Sequence, residues 1–204
     1  MIDHERKLIF VHIQKTGGNS VCAAFGQSSD LPEKHFPAWE LRKLYGDDVW
    51  SRYFKFAFVR NPWERLVSWW TMIDSQRAAF EQGVPLNKFQ SFVLRNANTF
   101  EEFLKNCDED ILDFDGPKSI FRNQLDYLTD ISGRQIVDFI GRHEIFEIDF
   151  DYVATKIGLA AIIIPHVNAS AHKYYADYYS SALVKKVAGR YARDIEAFGY
   201  VFGK

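Results

Sequence analysis

A polar segment directly after a short apolar run holds the first residues that could do chemistry. It consists of Lys15, Thr16, Gly17, Gly18, Asn19 and Ser20. At a turn from a strand into a helix, such a segment offers backbone N–H groups, one cation and two hydroxyls to a single anion. It therefore indicates a site for a phosphate or sulfate group. The alternative is an ordinary glycine turn with a surface lysine.

A second group of polar residues follows another apolar run. Arg60 ends that run, and Ser68 stands eight residues later, almost two turns into a predicted helix. An arginine can bind a phosphate through two parallel hydrogen bonds, and a serine hydroxyl on the same side adds a third. Taken alone, the two residues favour the alternative, in which Arg60 binds carbonyls at the strand end and Ser68 faces solvent.

Two strand-turn-helix units must position these residues. Residues 8–13 and 53–59 are apolar runs that predict strands, and a helix over 21–25 follows the first. Asn61 suits a helix N-cap and Pro62 the first helical position, so we expect a second helix from Trp63 to about Met72.

The rest of the chain continues the alternation of strands and helices. We predict an extended piece over 34–36, a helix over 38–45, a helix capped by Thr99 and Glu102, a strand over 137–141, and helices over 149–157 and 181–198. This order predicts an α/β protein with three α/β/α layers around a mainly parallel sheet. Ligands of such folds bind at the carboxyl ends of the strands, where both polar segments lie.

The composition of the chain argues against several classes of protein. A chain of 204 residues predicts a single domain over 1–204, and a net charge of -2 argues against a general nucleic-acid coat. The two cysteines, Cys22 and Cys107, make neither a zinc site nor a disulfide framework. Because no apolar run approaches the roughly 20 residues of a membrane helix and no signal peptide is recognisable, we expect a cytoplasmic protein without a membrane span.

The two polar segments together resemble the sulfotransferase family. Residues 12–20 resemble its 5′-phosphosulfate loop, and residues 58–68 resemble its 3′-phosphate element, in the same order and with similar separation. The similarity continues through four further stretches, at residues 123–128, 137–144, 168–170 and 194–200. Together these stretches resemble the carbohydrate-type branch that includes heparan sulfate 2-O-sulfotransferases. The sequence departs from that pattern at Gln14, where proline is common, and at Asn19, where threonine or serine is expected.

The resemblance implies a P-loop-like fold and transfer of a sulfuryl group from 3′-phosphoadenosine-5′-phosphosulfate (PAPS) to an acceptor hydroxyl, with a saccharide as the expected acceptor and no metal required. Lys15 would stabilise charge on the leaving phosphate, and residues 16–20 would hold the 5′-phosphate. Arg60 and Ser68 would bind the 3′-phosphate. A lid carrying Ser170 and Lys173 would contact the 3′-phosphate or the ribose.

The acceptor hydroxyl must lose a proton, so a general base is expected near it. His35 lies in the polar stretch where related enzymes present a catalytic histidine, and a neutral imidazole at pH 7 suits the task. Less favoured candidates are His4, His12, His143, His166, His172 and Glu40. Trp39 is one of several aromatic residues that could stack on a sugar, although most such residues belong to the core.

Two other functions stay open on the sequence. A P-loop nucleotide kinase would use Lys15 and Thr16 on ATP, but it needs a glycine five positions before the lysine, where Phe10 stands. A binding module without turnover would keep the anion-binding loop at residues 15–20 and would have no general base. The oligomeric state and the identity of the acceptor are not encoded in these motifs.

Overall fold

The structure is a computed structural model, and it describes residues 1–113, 116–120, 122–159 and 173–203. Its strands are β1 (Ile2–Asp3), β2 (Leu8–Val11), β3 (Phe54–Val59), β4 (Ile111–Asp113), β5 (Gly116–Lys118) and β6 (Phe139–Arg142). Four of them form one sheet in the order β1-β2-β3-β6, and β4 pairs with β5. The pairs β2–β3 and β3–β6 are parallel, while β1 runs antiparallel to β2. This confirms the predicted α/β class with a mainly parallel sheet.

The helices flank these strands along the chain. They are α1 (Gly18–Ala24), α2 (Ala38–Tyr45), α3 (Asp47–Arg52), α4 (Pro62–Asp74), α5 (Arg77–Glu81), α6 (Lys88–Asn96), α7 (Phe100–Asn106), α8 (Leu125–Leu128), α9 (Phe146–Lys156), α10 (Ser181–Arg190) and α11 (Ala192–Phe198). Short 3-10 helices cover His143–Ile145 and Tyr175–Tyr178. Among the described residues, none of these helices combines the length and apolar character needed to cross a bilayer.

The chain divides into two compact units, each built from two segments. The first contains Met1–Arg60 and Gln124–Ala169, and the second contains Asn61–Asn123 and Ser170–Lys204. The four-stranded sheet belongs to the first unit. On one sheet face, Phe10, Phe56 and Phe58 pack with apolar residues of α1 and α9, and all three phenyl rings are fully buried. Ile9 and Ala57, which point to the other face, are buried as well, as expected for a parallel sheet covered on both sides.

Local signals place several elements as predicted. The helix expected over 38–45 is confirmed as α2. The side chain of Asn61 accepts a hydrogen bond from the Trp63 N–H at 3.1 Å, so the predicted N-cap of α4 is confirmed. The hydroxyl of Thr99 caps α7 by accepting from the Glu102 N–H at 3.2 Å.

Two predicted elements are wrong. Instead of an extended piece at 34–36, the chain turns, because the Lys34 and Phe36 N–H groups donate to the carbonyls of Leu31 and Glu33. Instead of one helix over 181–198, α10 and α11 are separated by Tyr191, whose ring is fully buried and whose backbone (φ -106°, ψ 25°) leaves the helical region. The interruption is confined to this residue, because the Tyr191 N–H still donates to the Val187 carbonyl and the Ile195 N–H donates to the Tyr191 carbonyl.

Candidate functional site

The first unit brings Lys15 and Arg60, one residue from each polar segment, to one edge of the sheet. Strands β2 and β3 are parallel neighbours, with Val11 opposite Ala57, so their carboxyl ends meet at that edge. Lys15 lies four residues beyond the end of β2, and Arg60 follows β3 directly. The Nη1 of Arg60 donates a hydrogen bond to the Lys15 carbonyl oxygen at 3.3 Å. The guanidinium of Arg60 therefore lies against the backbone of Lys15, close enough for its positive charge to act on the Lys15 ammonium.

The loop between β2 and α1 has a constrained backbone. Lys15 adopts a left-handed conformation with φ 67°, which costs a non-glycine residue on the order of 1 kcal/mol or more. Gly17 is also left-handed (φ 85°) and forms the N-cap of α1. The buried hydroxyl of Thr16 donates to the Ile13 carbonyl at 2.9 Å, and the Ser20 N–H donates to the Gly17 carbonyl at 3.0 Å. The Thr16 hydroxyl and the Ser20 N–H, which were predicted to bind an anion, thus form hydrogen bonds within the loop and stabilise its shape.

Burial and like charge act together on Lys15. The ammonium is largely withdrawn from water and faces the positive charge of Arg60, and these two effects lower the Lys15 pKa to about 8. Lys15 is therefore mostly protonated at pH 7, and it loses its charge as the pH rises through its pKa of about 8. Because an anion between the two cations removes their repulsion, the arrangement favours a negatively charged ligand.

His35 reaches this edge because of the turn that replaces the predicted extended piece. Its Nδ1 lies 3.0 Å from the His12 carbonyl oxygen. A carbonyl can only accept, so Nδ1 carries the proton and, in the neutral ring, Nε2 carries the lone pair. This tautomer is the one that a general base acting through Nε2 requires.

The ring of His12 packs against the loop between β2 and α1. The ring is buried, packs edge to face against the His35 ring with centroids 4.7 Å apart, and lies against Gly18. Burial holds the His12 pKa well below its usual range, with the neighbouring positive charges adding to the effect. A neutral, enclosed imidazole of this kind suits a packing role.

The other histidines are distributed unequally. The ring of His143 borders Gly17, so this residue lies closer to the loop than its sequence ranking indicated. His4 lies at the opposite end of β2, where its Nδ1 forms a 2.7 Å hydrogen bond with the Tyr53 hydroxyl. His166 and His172 lie outside the described residues.

Three predicted site residues do not belong to the described part of the first unit. Ser68 is a buried residue of α4 in the second unit. Lys173, in the same unit, is exposed and lies two residues before the 3-10 helix Tyr175–Tyr178. Ser170 lies outside the described residues. Within the described ranges, no group of three histidine, cysteine or acidic side chains is placed to hold a metal ion.

Sequence reasoning missed two residues that contact the site, one at the N-cap of α8 and one within it. The side chain of Gln124 forms hydrogen bonds with both the N–H and the carbonyl of Arg60, and the Tyr127 hydroxyl donates to Gln14 Oε1. Both lie in the stretch 123–128, which resembles the family but contains no motif that assigns either residue a role. Four of the six residues in that stretch carry polar groups, so nothing local distinguishes Gln124 and Tyr127 from their neighbours.

The fold and this edge define a class: α/β proteins that carry cationic loops at the carboxyl ends of neighbouring parallel strands. Within that class the chain belongs to the sulfotransferase family, whose model matches residues 1–201. It is also 31% identical over 140 residues to an uncharacterized protein of Archaeoglobus fulgidus, an alignment that covers 68% of this chain and 96% of the relative. No solved structure matches the chain significantly. Membership of the family makes the chain a transferase that moves a sulfuryl group from a sulfate donor to a hydroxyl-type acceptor.

Proposed function

We propose that the chain transfers the sulfuryl group of PAPS to a hydroxyl of a saccharide or another small polar acceptor, as in the carbohydrate-type branch of the family. The observation that carries the proposal is the contact between the Arg60 guanidinium and the Lys15 carbonyl, which brings both residues to one sheet edge. Burial, with the positive charge of Arg60 as the second cause, lowers the pKa of Lys15, and a multiply charged anion bound at this edge would favour its protonated form. PAPS is such an anion.

Each residue of the edge then has a distinct task. The loop residues 16–20 hold the 5′-phosphate, while the guanidinium of Arg60 binds the 3′-phosphate, with Ser68, Ser170 and Lys173 as further proposed contacts. The ammonium of Lys15 stabilises the negative charge that develops on the 5′-phosphate as the S–O bond to it breaks. The product left behind is adenosine 3′,5′-bisphosphate.

The acceptor side of the proposal rests on His35 and on the exposed indole of Trp39. Nε2 of His35 takes the proton of the acceptor hydroxyl while the acceptor oxygen forms its new bond to sulfur. Trp39, four residues further along the chain, is 44% exposed and lines a groove of about 470 Å³. The face of an exposed indole can stack on the apolar face of a sugar ring. These features favour a saccharide as the acceptor.

Calorimetry with adenosine 3′,5′-bisphosphate tests the donor site. We expect the parent protein to bind this nucleotide and Arg60→Ala to weaken the binding by about 10- to 100-fold, the range expected for losing a charge-assisted hydrogen-bonding group. Arg52→Ala serves as a matched control, because Arg52 is an exposed arginine of the same unit whose partner is Asp48 on α3. It should bind the nucleotide as the parent does.

Two results would count against the proposed donor. One is a parent protein that shows no binding at high micromolar nucleotide, and the other is equal affinity in Arg60→Ala and the parent. Binding of magnesium ATP with no preference for a 3′-phosphate would instead support the kinase alternative.

The role of His35 is tested by separating binding from transfer. In His35→Ala we expect the affinity for adenosine 3′,5′-bisphosphate to stay within about twofold, while transfer from sulfur-labelled PAPS falls by about 10²-fold or more, as for loss of a general base. His4→Ala is the control, since His4 lies at the far end of β2. Undiminished transfer in His35→Ala would move the proton acceptor elsewhere, with His143 as the next candidate.

A further inference from the structure

We propose that Gln124 and Tyr127 of the α8 segment are positioning residues, which hold the two anion-binding segments in register at the sheet edge. The inference rests on the proposed donor site and assigns that site its specificity for the 3′-phosphate. Neither side chain is proposed to touch the donor. Each acts through one neighbouring residue, Arg60 in one case and Gln14 in the other.

Gln124 acts on Arg60 through the main chain. Its Oε1 accepts from the Arg60 N–H at 2.9 Å, and its Nε2 donates to the Arg60 carbonyl at 2.8 Å. The pairing of β3 with β6 ends at Val59, so Arg60 is the first residue beyond the ladder. The side-chain amide of Gln124 supplies one N–H donor and one carbonyl acceptor to Arg60, as the backbone of another strand would at this position. Because Gln124 is fully buried, it fixes the direction in which Arg60 leaves β3.

Tyr127 acts on the other segment. Its hydroxyl donates to Oε1 of Gln14 at 2.7 Å, and both residues are buried. Gln14 directly precedes Lys15, the left-handed residue of the loop. Restraining Gln14 therefore restrains the point at which the loop turns.

The spacing of Gln124 and Tyr127 places their side chains on the same side of one helical turn. Residues three apart on a helical turn have side chains on the same side, with their Cβ atoms about 5–6 Å apart. The single helical turn from Gln124 to Tyr127 thus contacts the segments that follow both β2 and β3. Its effect on Arg60 should appear as selectivity for the 3′-phosphate, and its effect on Gln14 should appear in the binding of any 5′-phosphate.

The test compares two nucleotides that differ only in the 3′-phosphate. For Gln124→Leu we expect the affinity for adenosine 3′,5′-bisphosphate to fall by about tenfold, the equivalent of one positioned hydrogen bond, and the affinity for adenosine 5′-monophosphate to change less than about twofold. For Tyr127→Phe we expect both affinities to fall by the same factor, about three- to tenfold. The ratio of the two affinities therefore falls in the first variant and stays constant in the second.

Two further variants test whether the loss of affinity comes only from general destabilisation of this segment. Thr129→Val removes a buried hydroxyl that donates to the Leu125 carbonyl of the same helix at 3.1 Å, and it should leave both affinities unchanged. Gln124→Asn keeps the amide but shortens its reach, so it should lower the affinity ratio even if Gln124→Leu fails to fold. The inference is overturned if a folded Gln124 variant keeps the parent's ratio of the two nucleotide affinities, whether both affinities are unchanged or both fall by the same factor. A parent that binds neither nucleotide overturns the proposed function itself.

Discussion

Replacing Lys15 by alanine lowers the turnover of sulfuryl transfer by about 10²- to 10³-fold, the loss expected when one preorganised donor to developing charge is removed. The reason is that the ammonium is partly desolvated and lies beside Arg60, where a charge interaction is stronger than in water. Binding of adenosine 3′,5′-bisphosphate should weaken much less than turnover. Initial rates at saturating sulfur-labelled PAPS, with calorimetry on the same preparations, give the two quantities.

Lys7→Ala is the matched control for this result. Lys7 is the other non-glycine residue with a positive φ (52°) among the described residues, and it is exposed on the turn between β1 and β2. The substitution therefore repeats the change of a left-handed lysine to alanine without touching the site, and its turnover should equal that of the parent. If Lys15→Ala lost affinity and turnover by the same factor, Lys15 would be a binding residue and not a stabiliser of the leaving phosphate.

The sequence predicted the features of the site that depend on local signals. Alternating strands and helices predicted that both polar segments begin at the carboxyl ends of parallel strands, and the pairing of β2 with β3 confirms that these two strand ends share one edge. Asn61 and Pro62 marked the start of α4 because an N-cap acts on residues only two or three positions away. Such signals need no knowledge of the rest of the chain.

The features that the sequence did not predict depend on distant contacts. The two hydrogen bonds between Gln124 and Arg60 join residues 64 positions apart, and the one between Tyr127 and Gln14 joins residues 113 positions apart. No spacing rule links such pairs. The left-handed backbone of Lys15 was likewise unpredicted, because residue type favours that conformation mainly at glycine, asparagine and aspartate.

Substituting Gly18 by alanine should disable the anion loop more completely than any substitution of a charged residue. A Cβ at this position would lie 2.0 Å from Nε2 of His12, well inside van der Waals contact. The His12 ring cannot easily move aside, because it is buried, stacks on Phe10 and packs edge to face against His35. We expect a stability loss of about 1–3 kcal/mol, as for overpacking a filled core, together with loss of nucleotide binding. Thermal unfolding and calorimetry measure the two effects.

A second substitution shows whether this steric conflict is the cause. In the double variant Gly18→Ala with His12→Ala, the ring that would clash is absent, so part of the lost stability should return and the two effects should be strongly non-additive. Gly189→Ala is the control, since a Cβ on this glycine of α10 meets no atom within 4 Å. That variant should be as stable as the parent or slightly more stable, because alanine favours a helix by up to about 1 kcal/mol over glycine. Additive losses in the double variant would show that Gly18 is required for a reason other than the close approach of His12, such as access of the donor to the backbone of the loop.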